Sequence, residues 1–156
     1  VMNRVVLSLA LVVLAGASQA QTPPVAAQAA PGNPVQAQAP DPGRMYVVAI
    51  AVVRAIDAGQ AAQLWDSASA VTRSSVKRET FVESVARVRT PLGAASGREW
   101  ISVSRQTGGG QGGLPAGNYI SVELATSFAG NRTARELVSF RLDDDGTWRF
   151  TGYVLR

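Results

Sequence analysis

The stretch ARELVSFRLDDDGTWRFTGYVL, residues 134–155, places two alternating runs on either side of an acidic turn. In both runs every second residue tends to be apolar, and this period of two is typical of half-buried β-strands. We therefore predict strands near residues 133–142 and 147–155. We expect Ala134, Glu136, Val138, Phe140 and Leu142 to share one face of the first strand, and Trp148, Phe150, Gly152 and Val154 one face of the second.

Two turns could join these strands, and they differ in the pairs that they create. A two-residue turn at Asp145-Gly146 would set the apolar Phe140 against the polar Thr151. A three-residue loop, residues 144–146, sets Phe140 against Phe150 instead. A one-residue slip moves a whole strand to the other face, so the apolar faces must align. We predict the three-residue loop, closed by Gly146 in the left-handed region.

The same alternation occurs twice upstream, near residues 97–105 and 118–128. The later of these runs places Ile120, Val122, Leu124, Thr126 and Phe128 on one face. In the earlier run Ile101 and Val103 fit that face. Short connections between four such strands predict antiparallel hairpins in sequence order. For the middle hairpin, apolar pairing favours Phe128 opposite Ala134.

Three helices are predicted before the strands. Asp41 followed by Pro42 is a typical helix start, and the apolar run after it ends at Gly59. Because that run is apolar nearly all round, we expect the helix to be buried on all sides. Further helices are expected over residues 60–69 and 78–89, the latter burying Phe81, Val85 and Val88. The predicted fold class is α+β, with three N-terminal helices packed on a curved four-stranded antiparallel meander sheet.

The N-terminal region predicts export. Residues 1–20 combine Arg4, an apolar run and the small residues Ser18 and Ala20, which is the pattern of a signal peptide cleaved after Ala20. An uncleaved anchor is the alternative, although the apolar run is short for a membrane span. Residues 21–40 are uncharged and rich in Pro, Ala and Gln, and we expect a disordered tether. Residues 41–156 then form a single domain in the periplasm or outside the cell.

Composition excludes several kinds of chemistry. The chain has 156 residues with no Cys and no His, so disulfides, thiolate nucleophiles, Cys/His zinc sites and histidine bases are absent. The net charge is +4, but the arginines are dispersed, so we predict no nucleic-acid partner. The acidic turn lacks the alternating acids of an EF-hand, and position twelve from Asp143 is Val154. We predict no metal and no cofactor.

Four segments in order resemble one bacterial family. They are IDAGQAAQLWDSAS, VRTPLG, LPAGNYISVELATSF and DDDGTWRFTGYVLR. Together they resemble the domain-of-unknown-function family numbered 4019 over roughly residues 45 to 155. The resemblance implies a secreted bacterial chain without an assigned activity. It also implies the cystatin-like cone shared with nuclear transport factor two-like proteins. The stretch TGGGQGG, residues 107–113, departs from the family pattern by lengthening the first hairpin.

A candidate cavity contains Trp65, Arg89, Thr126 and Glu136. Glu136 is the acid on the apolar face of its strand, where it could act as a general base. The alternative is a buried acid paired with an inward arginine, such as Arg89 or Arg54, because buried charges are normally paired. Trp65 is expected to pack in the core or to form a pocket wall. No catalytic set is predicted.

A candidate partner face lies on the other side of the sheet. The predicted registers place Trp100, Leu137, Tyr153 and Leu155 there, together with Arg141 opposite Arg149. Grouped exposed apolar residues suggest a contact surface, and we expect a homodimer or a docked partner protein. The facing arginines are unfavourable unless an acid or solvent neutralises them.

These observations predict an exported, non-enzymatic binding or protein-interaction module. Two alternatives stay open: a hydrolase or isomerase that uses carboxylate chemistry in the cone, and an inhibitor of a secreted partner. The fold alone does not choose between them.

Overall fold

The structure, a computed structural model, describes residues 40–109 and 114–156. The predicted signal peptide and nearly all of the predicted tether lie outside the described residues. So does the second half of the glycine-rich stretch between the first two strands.

Within the described residues four α-helices precede the sheet, one more than the sequence predicts. They are α1 (Pro42–Asp57), α2 (Ala61–Asp66), α3 (Ala70–Ser75) and α4 (Arg78–Arg89), and a 3-10 turn at Thr90–Leu92 follows. The additional helix, α3, has the sequence AVTRSS, which is too short and too polar to carry a helical period. The prediction of three helices is therefore wrong in number, although α4 has the predicted bounds.

Helix α1 begins as predicted but is not buried all round. The Asp41 side chain accepts a hydrogen bond from the Arg44 N–H at 3.0 Å, and Pro42 stands in the first turn. One face is buried, formed by Met45, Ala49, Val52, Val53 and Ile56. On the solvent side Val47 is 64% exposed, because α1 lies on the surface of the domain. In α4, similarly, Phe81 and Val85 are buried but Val88 is exposed, contrary to the prediction.

The strands form one open antiparallel sheet in the order β1-β2-β3-β4. Their bounds are β1 (Ala95–Gly108), β2 (Gly117–Phe128), β3 (Arg132–Leu142) and β4 (Trp148–Leu155). Helices α1 and α4 contact one side, which we call the inner face. Its floor is the predicted row of β2, all of it buried: Ile120, Val122, Leu124, Thr126 and Phe128. The observed architecture is α+β, as predicted.

The hairpin between β2 and β3 is tighter than predicted. Phe128 pairs with Arg132 and Thr126 with Ala134, so the predicted pairing of Phe128 with Ala134 is wrong by two residues. The cause is the turn, where Gly130 and Asn131 both take positive φ angles of 70° and 57° and reverse the chain early. A shift of two residues preserves the faces, so the buried rows are as predicted.

The hairpin between β3 and β4 has the predicted register at its turn, with Phe140 opposite Phe150. Farther along, Ser139 pairs with Gly152, so Thr151 is an unpaired bulge residue. A bulge of one residue reverses the alternation of side chains. Tyr153 and Leu155 therefore lie on the inner face, and Val154 on the outer one. The prediction had placed these three residues on the opposite faces.

A second bulge, in β1, makes the predicted position of Trp100 on the outer face wrong. Trp100 pairs with Leu124 and Ser102 with Glu123, which leaves Ile101 unpaired. Trp100 consequently lies on the inner side, where it stacks on Tyr46 of α1 with ring centroids 5.4 Å apart. Of the predicted partner face, only Leu137, Arg141 and Arg149 remain on the outer face.

Candidate functional site

The most deeply buried charge of the domain is Glu136 on β3. Its side chain is 0% exposed and lies on the inner face, where it meets side chains from the three other strands. Oε2 accepts hydrogen bonds from the Arg98 Nε at 2.7 Å and from the Thr126 hydroxyl. Oε1 accepts a hydrogen bond from the Tyr153 hydroxyl at 2.7 Å. Both carboxylate oxygens of Glu136 are therefore engaged within the fold.

Arg98 connects this carboxylate to the helices. Its Nη2 lies 2.8 Å from the Asp57 Oδ2 at the end of α1. Asp57 in turn accepts a hydrogen bond of 2.6 Å from the Arg89 Nη2 at the end of α4. Arg89 also donates to the Gly93 carbonyl oxygen at 2.6 Å. These two acids and two arginines form a charge-balanced group that joins both helix ends to the sheet. We call it the ionic cluster, and its members are Asp57, Arg89, Arg98 and Glu136.

Burial and charge set the protonation of this cluster. Burial of the phenol, followed by the neighbouring charge of Glu136, raises the pKa of Tyr153 well above its ordinary value, so Tyr153 is a hydrogen-bond donor at physiological pH. For Arg98, burial by itself would lower the pKa. The hydrogen bonds to Glu136 and Asp57 outweigh burial and leave the pKa of Arg98 above its ordinary value.

The predicted cavity residues do not form one site. Thr126 and Glu136 are in contact, as their shared face implied. Arg89 contacts Asp57 rather than Glu136, and its guanidinium carbon lies 4.5 Å from the centre of the Phe128 ring. Trp65 is elsewhere, and its indole N–H donates to the Val76 carbonyl oxygen at 2.9 Å.

The sequence analysis did not identify two members of the cluster, Asp57 and Arg98, nor Tyr153, which donates a hydrogen bond to it. The bulge at Thr151 hid Tyr153, because strict alternation assigned it to the outer face. Asp57 is the last residue of α1, and no local pattern identifies its partners, because both arginines come from distant segments. The predicted partner Arg54 makes no side-chain hydrogen bond or ion pair within residues 40–109 and 114–156.

A cleft of about 470 Å³ borders the ionic cluster between α1, α2 and α4. Its walls are mostly apolar and include Ile56, Val82 and Val85. The charged residues at its edge, Asp57 and Arg89, are hydrogen-bonded to each other. The cleft consequently offers an apolar surface but little free hydrogen-bonding capacity from charged groups.

The acidic turn neutralises the facing arginines of the outer face. Arg141 pairs with Arg149 as predicted, and Asp143 lies 2.9 Å from the Arg141 Nη1 and 3.3 Å from the Arg149 Nη1. Burial would raise the pKa of Asp143, but the Ser69 hydroxyl and the two arginines hold it below its ordinary value. Arg149 also binds Asp145 through both carboxylate oxygens at 2.8 Å and depresses the pKa of Asp145 strongly.

A groove of about 420 Å³ crosses the outer face of the sheet beside α3. The described residues that line it are all uncharged. On its floor the hydroxyl oxygens of Ser121 and Ser139 lie 2.9 Å apart. Gly152 continues this row on β4, and a β-carbon placed there would meet nothing within 4 Å. The groove therefore combines a polar floor with apolar walls such as Val71 and Leu137.

No three His, Cys, Asp or Glu side chains of residues 40–109 and 114–156 come together in a way that could hold a metal ion. None of the helices in those ranges has the length and hydropathy that a bilayer crossing requires.

Comparison with known proteins places the chain in a family. No curated protein and no solved structure matches it at a significant level. A family model described as "Protein of unknown function (DUF4019)" matches residues 48–153, from helix α1 into strand β4. The match covers the ionic cluster and every described residue that lines the outer groove. The chain therefore belongs to the DUF4019 family of proteins of unknown function.

Proposed function

We propose that this protein is an exported, non-enzymatic binding module, and that the groove on the outer face receives its ligand. The supporting observation is the row formed by Ser121, Ser139 and Gly152. A serine hydroxyl has one donor and two acceptor positions, and a single bond between the two serines leaves capacity on both. The open space over Gly152 gives a ligand access to them.

The chemistry of the groove favours a neutral ligand. Its lining is uncharged, so a charged group that entered would lose water without gaining an opposite charge. Hydroxyl or amide groups would bond to the serines, while Val71 and Leu137 would cover apolar parts. A few oriented polar groups in a mainly apolar concavity are typical of ligand sites.

The ionic cluster supports binding rather than catalysis. A general base needs an available oxygen near the reacting proton. Glu136 is fully buried and already accepts from Arg98, Thr126 and Tyr153, so the enzyme alternative requires the fold around it to open before a substrate could reach it. We assign the cluster a structural role, which is to hold α1 and α4 against the sheet.

The finer features of fold and location are part of the same proposal. The resemblance to cystatin-like cones is supported by an antiparallel sheet with two helices against one face. Export to the periplasm or beyond is supported by the signal-like pattern of residues 1–20.

The groove can be tested by filling it. Gly152→Leu would project a side chain over the serine row, and the backbone of Gly152 is not in the left-handed region. Gly97→Leu is the matched control, because its β-carbon also meets nothing within 4 Å but lies on β1 away from the groove. Immobilised wild-type protein and both variants are incubated with envelope extract. Bound species are released by denaturation and identified by mass spectrometry.

We expect a species that the wild type and Gly97→Leu retain and that Gly152→Leu loses, with equal melting temperatures for the three proteins. Retention of the same species by Gly152→Leu would show that the groove is not the site. Failure of the wild type to retain any specific species would count against a binding module altogether.

A further inference from the structure

A second surface lies at the edge of the domain where α1 runs beside β1. Trp100 is 46% exposed although it stacks on Tyr46, and the bulge residue Ile101 is 40% exposed. Val47 projects from α1 into solvent. We define the edge patch as Tyr46, Val47 and Arg54 of α1 with Trp100, Ile101 and Arg105 of β1. Exposed apolar residues on two elements that contact each other, as α1 and β1 do, indicate a contact surface.

Most arginines of the sheet outside the edge patch have carboxylate partners, whereas Arg132 of β3 donates only to backbone carbonyl oxygens. Arg98, Arg135, Arg141 and Arg149 all have carboxylate partners. Within residues 40–109 and 114–156, neither Arg54 nor Arg105 forms a salt bridge. Arg105 donates to the Pro40 carbonyl oxygen at 2.9 Å, a contact that leaves its charge uncompensated. The edge patch thus combines exposed apolar groups with net positive charge.

The acids nearest in sequence form no salt bridge with these arginines. Asp41 follows the Pro40 that Arg105 contacts, but its carboxylate caps α1 by accepting from the Arg44 N–H. Glu99 precedes Trp100, but it pairs with Ala125 on the outer face of the sheet. Asp57 lies on α1 and is already bonded to two arginines of the ionic cluster. None of these three carboxylates is therefore an ion-pair partner of Arg54 or Arg105.

We propose that the edge patch docks the protein onto an anionic lipid surface. Tryptophan favours the interface between headgroups and acyl chains, and Val47 and Ile101 can enter the same boundary. Arg54 and Arg105 would pair with lipid phosphates, for which the guanidinium fork is well suited. A soluble polyanion would satisfy the arginines but leave Trp100 and Ile101 in water, and this favours a lipid surface.

The test is sedimentation of the exported protein with vesicles. One set contains phosphatidylglycerol and phosphatidylcholine in equal parts, and the other contains phosphatidylcholine alone. We expect binding to the anionic vesicles that weakens as salt is raised, because exposed charges are screened. A juxtamembrane arginine contributes about 1 kcal/mol, so Arg54→Gln with Arg105→Gln should weaken binding about thirtyfold. Trp100→Ala should weaken vesicle binding at both low and high salt, because the contribution of an apolar side chain is not screened.

Matched controls show whether a loss of vesicle binding is specific to the edge patch or follows from a change in net charge or in exposed apolar area anywhere on the protein. Arg73→Gln with Arg87→Gln removes the same charge from exposed positions outside the edge patch. Val154→Ala truncates an exposed apolar residue on the outer face. All variants share one N-terminal region, so differences among them report on the substituted positions, and melting temperatures verify folding. Equal losses in control and patch variants would overturn the proposal. So would equal sedimentation with both vesicle types, or binding to soluble polyphosphate without binding to vesicles.

Discussion

The Tyr153 hydroxyl on β4 donates a 2.7 Å hydrogen bond to the Glu136 Oε1 on β3, and the bulge at Thr151 is what turns Tyr153 toward it. Without the bulge, Tyr153 would lie on the outer face and one oxygen of a fully buried carboxylate would lack this donor. The bulge and the buried acid are therefore parts of one arrangement.

Removing the Tyr153 hydroxyl tests that arrangement. Tyr153→Phe keeps the ring and leaves Glu136 Oε1 without its donor, and we expect a loss of about 1 to 3 kcal/mol in the free energy of unfolding. Urea unfolding measures the change. Tyr46→Phe is the control, because the Tyr46 hydroxyl has no hydrogen bond within the described residues. Equal effects of the two substitutions would contradict a specific role for the bond.

The pair of Arg98 and Glu136 should show strong coupling. Arg98→Met leaves a fully buried carboxylate without its cation and should destabilise the domain by about 3 to 5 kcal/mol. Glu136→Leu should cost less, because Arg98 keeps its ion pair with Asp57. The double variant removes both charges and should recover much of the loss caused by Arg98→Met, since Asp57 keeps its contact with Arg89. A double-mutant cycle from urea unfolding gives the coupling energy. Additive effects would contradict this interpretation of the cluster.

Acid should weaken the turn around Asp143. The pKa values of Asp143 and Asp145 are lowered in the folded protein, so the unfolded chain binds more protons in the acidic range. Their contribution is complete above the unfolded pKa of about 3.9 and is lost as the pH falls through the folded values. Melting temperature should therefore decline below about pH 5.

Asp143→Asn should flatten this decline and destabilise the protein at neutral pH by about 1 to 2 kcal/mol, because two facing arginines lose their shared acid. Asp144→Asn is the control, since the Asp144 side chain projects into solvent and lies 3.9 Å from Arg141. The role of Asp143 would be refuted by an unchanged pH dependence in Asp143→Asn.

Gly146 should be sensitive to substitution for conformational reasons alone. It has a φ of 76°, and a β-carbon there would meet nothing within 4 Å. Gly146→Val should cost about 1 to 3 kcal/mol from the left-handed backbone. Gly152→Ala has equal space but no positive φ and should change stability by less than about 0.5 kcal/mol. Thermal unfolding compares the two, and a fully stable Gly146→Val would refute the turn geometry.

Several features followed from sequence because they depend on neighbours along the chain. The start of α1 at Asp41 and the bounds of α4 are given by capping residues and helical spacing. The pairing of Phe140 with Phe150 followed from matching two apolar faces across a short loop. The buried row from Ile120 to Phe128 followed from alternation alone, because successive side chains of a strand point to opposite faces.

Other features depend on contacts between distant segments and were not predicted correctly. The turn at Gly130 and Asn131 could close in more than one way, and the prediction chose a register two residues too wide. Nothing local identifies Ile101 as a bulge residue, and its bulge reversed the face of Trp100. The partner of Glu136 was expected on a helix, but it is Arg98 on the edge strand.

The sequence by itself determined the α+β class, the order of the strands and the family, because hydrophobic period and turn residues act over short distances. Only the tertiary structure decided which side chains surround Glu136, which acids form ion pairs with the arginines, and on which face of the sheet Tyr153 lies. The physical reason is that a buried charge is stabilised only by partners that folding brings to it. A single extra residue in a strand is enough to change which partners those are.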